Sequence, residues 1–369
     1  MMDDAPFWGM GALASAGGDA TKAPSPPAGP RRILIVSDAW HPQVNGVVRT
    51  LSTVVDELRA MGDTVEVVGP DRFLSVPMPG YAEIALALVP KRRLARMADA
   101  FRPDAVHVAT EGPLGWAMRA ICRRRGWRFT TSFHTRFPDY LHLRTRIPVA
   151  WSWAMLRRFH AAGSGTFCAT PSLARELASR GFGQVVPWSR GVDLRRFRPD
   201  AASHAEKEAW EDLPRPIFLY AGRVAVEKNI AAFLALDLPG SKVVVGDGPQ
   251  RAALMKRFPA VHFTGWRDNG ALARAYAQAD VFVFPSRTDT FGLVLLEALA
   301  SGTPVAAYPV IGPLDVVGDA PVGALDEDLR AACLRALQAD RARCRQHAET
   351  SSWAACARRF RDSLVPVGA

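Results

Sequence analysis

Short apolar runs alternate with longer segments of helical periodicity along the first half of this chain. The runs have the length and character of buried strands, and the segments between them have those of helices. Strands that alternate with helices are typical of a parallel, doubly wound sheet. The predicted strands cover 31–36, 65–68, 105–108 and 129–133, and the predicted helices cover 46–61, 91–101 and 114–125.

The alternation restarts after a polar break, which predicts a second domain of the same kind. Further strands are predicted at 217–220, 242–245, 261–263, 281–284 and 304–307, with a final helix at 353–364. We therefore expect an α/β protein whose two Rossmann-like domains face each other across a ligand cleft. The predicted divisions are a disordered tail (1–30), a first domain (31–190), a connection (191–216), a second domain (217–350) and a C-terminal segment with a helix (351–369).

The composition is that of a globular protein with large cores, because 49% of the 369 residues are hydrophobic and 22% are charged. No apolar run approaches the roughly 20 residues that cross a bilayer. The first 30 residues lack the basic start and apolar stretch of a signal peptide. The five cysteines form no C-x2-C pair, so we expect free thiols in a reducing cytoplasm and no metal site.

Positive charge is concentrated in the predicted first domain. Positions 31–190 hold 23 Lys and Arg residues against 12 Asp and Glu residues. From position 191 onward the chain holds 22 Lys and Arg residues against 21 Asp and Glu residues. A basic half attracts anionic surfaces, whether lipid or nucleic acid. A nucleic-acid partner is disfavoured because no recognition motif accompanies the charge.

Two carboxylates eight positions apart, Asp289 and Glu297, lie at the junction of the predicted strand 281–284, a polar loop and an apolar helix. The N-terminus of a helix that starts near Phe291 presents free N–H groups, which suit a diphosphate. Glu297 follows in the second turn, tilted toward the same loop. A buried carboxylate needs a partner, and sugar hydroxyls would serve.

The stretch FPSRTDTFGLVLLEALASG resembles the E-x7-E region of the retaining glycosyltransferases of family four, which have the GT-B fold. Within that family it is similar to the bacterial branch with GDP-mannose-dependent α-mannosyltransferases and glycolipid-forming glycosyltransferases. The resemblance implies that the first domain (31–190) is the acceptor side, that the second (217–350) binds the donor, and that the final helix packs back on the first domain. Asp289 stands where the family has Glu. The resemblance implies that Asp289 contacts the transferred sugar and that Glu297 holds the donor ribose. The donor-binding residues that it implies in the following helix start are Thr290, Phe291, Gly292 and Leu293.

Arg223 and Lys228 follow the first strand of the second domain and can together neutralise a diphosphate. The segment is similar to the family's G-R-x4-K element, which implies that both cations hold the donor diphosphate and stabilise it as the leaving group. Gly246 and Gly248 stand in a G-D-G-P element that the resemblance places beside the nucleotide. Trp266 follows the next strand, where the family contacts the base.

Gly46 begins the first predicted helix, where a glycine lets backbone approach a sugar or phosphate. The resemblance of P-Q-V-N-G implies that this loop borders donor and acceptor. His134 follows a predicted strand, and the match of FHTRFP to the family's strand-end histidine implies catalytic contact with the sugar. His107 and Glu111 are further expected neighbours of the cleft.

Arginine pairs and two tryptophans, Trp151 and Trp153, are expected on a membrane-facing surface of the basic half. The resulting hypothesis is a retaining glycosyltransferase without metal or cofactor, peripheral on the inner face of the cell membrane. It would move a hexose from GDP-mannose, a UDP-hexose or a UDP-uronic acid to a hydroxyl, with a membrane glycerolipid as the expected acceptor. The alternatives are a soluble or polysaccharide acceptor, a sugar-nucleotide epimerase, and a non-catalytic nucleotide-sugar-binding protein.

Overall fold

The computed structural model describes residues 29–43, 45–78, 81–88, 90–136, 148–202 and 209–368. The tail predicted at 1–30 lies almost entirely outside these ranges. The described residues form two α/β halves, each built on a six-stranded parallel sheet. The predicted fold of two Rossmann-like domains is thereby confirmed.

The first half carries the strand order β2-β1-β5-β6-β7-β8, with a separate antiparallel hairpin of β3 and β4. Its strands are β1 (Arg32–Val36), β2 (Thr64–Val68), β3 (Ser75–Met78), β4 (Tyr81–Ala87), β5 (Ala105–Val108), β6 (Thr130–Phe133), β7 (Thr166–Cys168) and β8 (Val185–Pro187). Its helices are α1 (Gly46–Ala60), α2 (Lys91–Phe101), α3 (Pro113–Arg125), α4 (Val149–His160) and α5 (Pro171–Ser179).

Alternation along β1 explains how this sheet is covered on both faces. Ile33 and Ile35 pack with Leu51 of α1 on one face. Leu34 and Val36 belong to the cluster on the opposite face, which α2 and α3 complete. Because successive side chains of a strand point to opposite faces, a strand covered on both sides must be apolar throughout.

The second half has the strand order β11-β10-β9-β12-β13-β14. Its strands are β9 (Ile217–Ala221), β10 (Ser241–Val245), β11 (His262–Gly265), β12 (Val281–Phe284), β13 (Val305–Ala307) and β14 (Gly323–Leu325). Its helices are α6 (Ile230–Leu234), α7 (Arg251–Arg257), α8 (Asn269–Gln278), α9 (Leu293–Ala300), α10 (Pro313–Val316), α11 (Leu329–Ala336) and α12 (Arg341–Glu349).

The last helix, α13 (Trp353–Ser363), packs on α1 of the first half. Its Phe360 is fully buried in the cluster that covers one face of the first sheet. The indole Nε1 of Trp188, which follows β8, donates to the carbonyl of Cys356 at 3.2 Å. The C-terminal helix therefore completes the core of the first half.

The predicted strands and helices agree with the structure to within two residues at each end, but five strands were not predicted. Three of these, β7, β8 and β14, have only three residues each, too few for a pattern to stand out. Among the helices of the described residues, none is both long enough and apolar enough to span a bilayer.

Candidate functional site

The site lies where the strand order of the second sheet reverses. The first strand, β9, lies between β10 and β12, so the connections after β9 and β12 leave toward opposite faces. The crevice outside the carboxyl ends of such strands is where open α/β sheets bind ligands. A short 3-10 turn, Val226–Lys228, follows β9 there, and the loop with Asp289 follows β12.

Lys228 and Asp289 meet across this crevice, with Nζ and Oδ1 2.6 Å apart. The second carboxylate oxygen of Asp289, Oδ2, is buried and has no hydrogen-bond partner in the described part of the chain. A buried acceptor without a donor is costly, and a ligand hydroxyl would satisfy it. Asp289 can thus bind a ligand hydroxyl through Oδ2 while Oδ1 bonds Lys228.

Gly292 allows the Asp289 loop to turn directly into α9. Its φ is +83°, in the left-handed region, and a Cβ there would lie 3.0 Å from the ring of Phe284. Phe291 packs into the hydrophobic core of the second half, so its side chain is structural. The predicted helix start at Phe291 is therefore two residues early, since α9 begins at Leu293.

Thr290 connects this loop to the first half. Its hydroxyl donates to the backbone carbonyl of His134 at 2.7 Å. His134 follows β6, and its buried ring accepts a hydrogen bond at Nδ1 from Arg190, with 3.3 Å between the nitrogens. The other ring nitrogen, Nε2, is buried without a partner in the described ranges. Burial and the adjacent Arg190 hold the pKa of His134 well below its ordinary value, so the ring is neutral.

The two helices whose N-termini were predicted to border the ligand approach each other. A Cβ built on Gly46, the first residue of α1, would lie 4.0 Å from Leu293 Cδ1 at the start of α9. The side chain of Asn45 caps α1 by accepting from the N–H groups of Val47 and Val48, both at 3.0 Å. The structure therefore brings Gly46 and Leu293 together at one place between the halves.

Glu297 has protein partners that the sequence analysis did not anticipate. Its carboxylate forms an ion pair with Arg49 of α1 and accepts from the hydroxyl of Tyr276 at 3.2 Å. Burial raises the pKa of Glu297, whereas Arg49 lowers it. The expectation that this buried acid needs a partner is met by protein groups, and its contact with the donor ribose stays a prediction.

The remaining predicted donor residues surround the end of β9. Arg223 lies 3.7 Å from Glu227, between Nη1 and Oε1, and its side chain is partly exposed. Trp266 is 69% exposed after β11, which leaves its ring accessible to a base. Gly246 is required for packing, because a Cβ there would come within 1.9 Å of the Gly222 carbonyl oxygen. Gly248 lies in the same loop.

Two expected cleft neighbours have protein partners, and one residue expected to face a membrane is buried. His107 is a core residue: its nitrogens bond Thr130 and Ser132 at 2.8 Å, and burial lowers its pKa to about 3. Glu111 contacts His160, with 3.1 Å between Oε1 and Nε2, as a half-buried structural pair. Trp153 is buried and stacks on Phe133, so it does not face a membrane.

Trp151, by contrast, is 74% exposed, as its predicted role requires.

Arg49 and Arg190 are the residues of this site that the sequence analysis missed. Arg49 lies one turn into α1, and Arg190 follows the short strand β8. Each contacts a predicted site residue far away in the sequence. A signal was present for Arg190, since a charged residue stands between apolar Trp188 and Val192, both of which are buried.

Two family models match the chain in succession. The model described as Glycosyltransferase Family 4 matches residues 44–196, and the model described as Glycosyl transferases group 1 matches residues 215–339. The first spans the half with His134 and Arg190, and the second spans the half with Lys228 and Asp289.

Curated proteins and solved structures are similar over most of the chain. A GDP-mannose-dependent alpha-mannosyltransferase of Mycobacterium tuberculosis is 33% identical over 308 residues, covering 78% of this chain and 81% of its own. An alpha-monoglucosyldiacylglycerol synthase of Streptococcus pneumoniae is 29% identical over 347 residues, which cover 83% of this chain and 78% of the relative. The structure of Anabaena Alr3699/HepE in complex with UDP superposes with a TM-score of 0.66 at 14% identity, covering 89% and 98%, which shows a shared fold.

Proposed function

This chain belongs to glycosyltransferase family 4 and is a hexosyltransferase of the GT-B fold, and from that premise we propose that it glycosylates a membrane glycerolipid with retention at the anomeric carbon. The donor is a nucleoside diphosphate hexose. GDP-mannose is the first donor to test, because the mycobacterial relative is named for it. UDP-glucose, other UDP-hexoses and a UDP-uronic acid are the competing donors.

One observation carries the donor site: two loops from opposite halves contact each other, and each contributes a buried polar side-chain atom that lacks a partner in the described residues. The two atoms are the carboxylate oxygen Oδ2 of Asp289, which is an acceptor, and the ring nitrogen Nε2 of His134. The loops touch because the hydroxyl of Thr290, next to Asp289, donates to the His134 carbonyl. A sugar hydroxyl is both donor and acceptor, so hydroxyls of one hexose can satisfy both sides. This supports a hexose at the meeting point of the halves.

The diphosphate is proposed to lie against Arg223, Lys228 and the start of α9. The ammonium of Lys228, beyond the end of β9, bonds Asp289, and the side chain of Arg223 is partly exposed in the same loop as Lys228. Charge-assisted bonds to the phosphate oxygens stabilise the charge that develops as the bond to the anomeric carbon breaks.

In the proposed reaction the acceptor hydroxyl oxygen forms the new bond to the anomeric carbon on the face that the diphosphate leaves. The bond between that carbon and the phosphate oxygen breaks, and its electron pair stays with the diphosphate. The acceptor proton moves to a departing phosphate oxygen. The products are the glycoside and the nucleoside diphosphate, and no enzyme nucleophile takes part.

The donor site is tested by ligand-induced stabilisation and turnover. GDP-mannose and UDP-glucose are compared in thermal unfolding, where a ligand at 100 times its Kd stabilises the protein by about 2.7 kcal/mol. Lys228→Ala and Arg223→Ala should remain folded and each lose transfer activity. Lys256→Ala, an exposed lysine of α7, is the matched control. Normal kinetics in both site variants would eliminate this donor site.

The two carboxylates have separable proposed roles. Asp289→Asn should lower kcat through the sugar, whereas Glu297→Gln should raise the Kd of the donor. If the Glu297→Gln variant were destabilised but bound the donor normally, the role of Glu297 would be structural, through its contacts with Arg49 and Tyr276. Donor hydrolysis without acceptor separates an enzyme from a binding protein, and product analysis excludes an epimerase.

The lipid acceptor is supported by an exposed apolar and basic surface of the first half, here called the hairpin–α2 surface. It consists of Leu74, Val76 and Leu88 on the hairpin, followed by Lys91 and Arg92 of α2, all exposed. The N–H of Leu88 donates to the carbonyl of Leu74 at 2.7 Å, which keeps the apolar side chains adjacent. Apolar side chains beside cations suit the interface of an anionic bilayer.

Vesicle binding tests this surface. The protein should sediment with vesicles that contain phosphatidylglycerol, less so with neutral ones, and less as salt screens the charges over about 8 Å at physiological ionic strength. Leu74→Glu should weaken sedimentation, whereas Met255→Glu, an exposed apolar position of the second half, should not. Transfer is assayed on diacylglycerol, phosphatidylinositol and a soluble sugar. Transfer to the soluble sugar alone, without vesicle binding, would refute the lipid acceptor and leave the glycosyltransferase.

A further inference from the structure

The protonation of His134 is determined by its neighbour Arg190. Nη2 of Arg190 lies 3.3 Å from His134 Nδ1 and is oriented as a hydrogen-bond donor. A guanidinium has donors and no acceptor, so this contact requires a lone pair on Nδ1. A neutral imidazole with its lone pair on Nδ1 carries its proton on Nε2.

Arg190 is itself held in one position. Its side chain is buried, Nη1 donates to the backbone carbonyls of Trp188 and Ser189, and the guanidinium lies 4.2 Å from the centroid of the Trp188 ring. Burial lowers its pKa to about 10, which leaves it charged at neutral pH. Moving the side chain would leave buried donors without acceptors, so Arg190 holds a fixed position beside the histidine ring.

The proton on Nε2 has no acceptor in the ranges that the structure describes. The other charged or titratable groups close to His134 are His107 and His160, with Glu111 behind His160. Arg190 is cationic at neutral pH, so protonating His134 would place a second positive charge against it in a buried site. The ring therefore stays neutral and keeps one buried N–H, in a residue whose backbone carbonyl accepts from the Thr290 hydroxyl.

We propose that Arg190 is a positioning residue that locks His134 in the Nε2–H tautomer, so that His134 serves as a permanently neutral hydrogen-bond donor to an oxygen of the transferred sugar. His134 then acts neither as a general base nor as a general acid. The proposal rests on the proposed glycosyl transfer only for the identity of the ligand. The tautomer itself is a property of the free protein.

Histidine side-chain ¹⁵N NMR of the ligand-free protein is the first test. The signals of His134 are assigned as those that disappear in the His134→Gln variant. They should show a protonated Nε2 and an unprotonated Nδ1, and neither should titrate between about pH 5 and 8. A proton on Nδ1, or a titration within that range, overturns the proposal. Because no substrate is needed, this result is independent of whether the protein transfers sugar.

Arg190→Met removes the donor and keeps an unbranched side chain. His134 should then populate both tautomers and titrate at higher pH, and kcat should fall about 10- to 100-fold, the range expected when a buried hydrogen-bond partner is lost. An acid limb, absent from the wild type, should appear in the pH dependence of kcat. Retention of a single Nε2–H tautomer in Arg190→Met contradicts the proposal.

The control is Arg119→Met in the same half. Arg119 is also buried, donates to the carbonyls of Phe159 and Arg158, and lies 5.0 Å from the Trp116 ring, but has no contact with His134. It should lower thermal stability to a similar degree and leave the His134 spectrum unchanged. Should Arg190→Met not fold, Arg190→Leu, which also removes the donor, replaces it with the same expected and contradicting results. A spectrum that changes equally in Arg190 and Arg119 variants overturns the positioning role.

Discussion

Replacing Arg49 with Met tests the buried ion pair that joins the two halves. Arg49 belongs to α1, and its partner Glu297 belongs to α9, where it is 2% exposed. The substitution leaves the Glu297 carboxylate buried with the Tyr276 hydroxyl, 3.2 Å away, as its remaining hydrogen-bond partner. Met keeps the unbranched stem, which limits the loss of packing against Phe197, whose ring centroid is 5.6 Å from the Arg49 guanidinium carbon.

The expected loss lies between two limits. Removing one partner of a fully buried pair costs about 3–5 kcal/mol, and an exposed pair contributes at most about 1 kcal/mol. Glu297 is buried, but the Arg49 side chain is 36% exposed, so solvent already screens part of the attraction. We expect the free energy of unfolding to fall by about 2–3 kcal/mol, or about 4–10 °C in Tm for a domain of this size.

The loss should depend on pH because a buried carboxyl can take up a proton. Burial already raises the pKa of Glu297 above its ordinary value, and removing Arg49 takes away the largest opposing influence. A carboxyl whose folded pKa exceeds its unfolded pKa contributes stability that is present below the unfolded pKa and is lost as pH rises through the folded pKa. The effect of Arg49→Met should therefore be small near pH 5 and full near pH 8, about the range in which such a group ionises.

Urea unfolding of the wild type and Arg49→Met at both pH values measures this difference. Arg59→Met is the control on the same helix: its pair with Asp56 is exposed and spans 4.0 Å, and its guanidinium also donates to the Val65 carbonyl at 2.9 Å. It should cost about 1 kcal/mol, equally at both pH values, because neither contact involves a buried carboxyl. The double variant with Glu297→Gln should regain most of the stability at high pH. An equal loss at both pH values, or a double variant no more stable than Arg49→Met, would refute the ion-pair explanation.

Two further predictions concern stability alone. Asp38 accepts from two backbone N–H groups at the N-terminus of α3 and from the Thr110 hydroxyl. Asp38→Ala should therefore lower the free energy of unfolding in urea by about 2–4 kcal/mol. A loss below about 1 kcal/mol, the value of an exposed cap, would contradict this account. Gly246→Ala should reduce the unfolding free energy by more than about 3 kcal/mol, because its φ is +138° and the added Cβ collides with the Gly222 carbonyl. Gly183→Ala, where nothing lies within 4 Å, should be nearly neutral in calorimetry, and equal melting temperatures for the two variants would show that the collision is relieved.

Local sequence patterns predicted the state of the cysteines and the position of the Asp289 loop. All five cysteines are free and buried within the described residues, in line with the expectation of unpaired thiols. The predicted Asp289 loop lies at a strand end as expected, because an apolar strand and a helix of clear periodicity enclose it. The hairpin of β3 and β4 was missed because Val76 within β3 and Leu74 just before it are exposed, so β3 lacks the pattern of a buried strand.

The sequence by itself determined the two α/β halves and the loops that carry Lys228, Asp289 and His134. Those features follow from short-range patterns, since a strand, a turn and a helix are encoded by neighbouring residues. Only the tertiary structure decided which buried charges are paired. Glu297 meets Arg49 across 248 positions of chain, and Arg190 meets His134 across 56. No periodicity records such a contact, because it depends on how the two sheets pack, and burial then determines which polar atoms are left for a ligand.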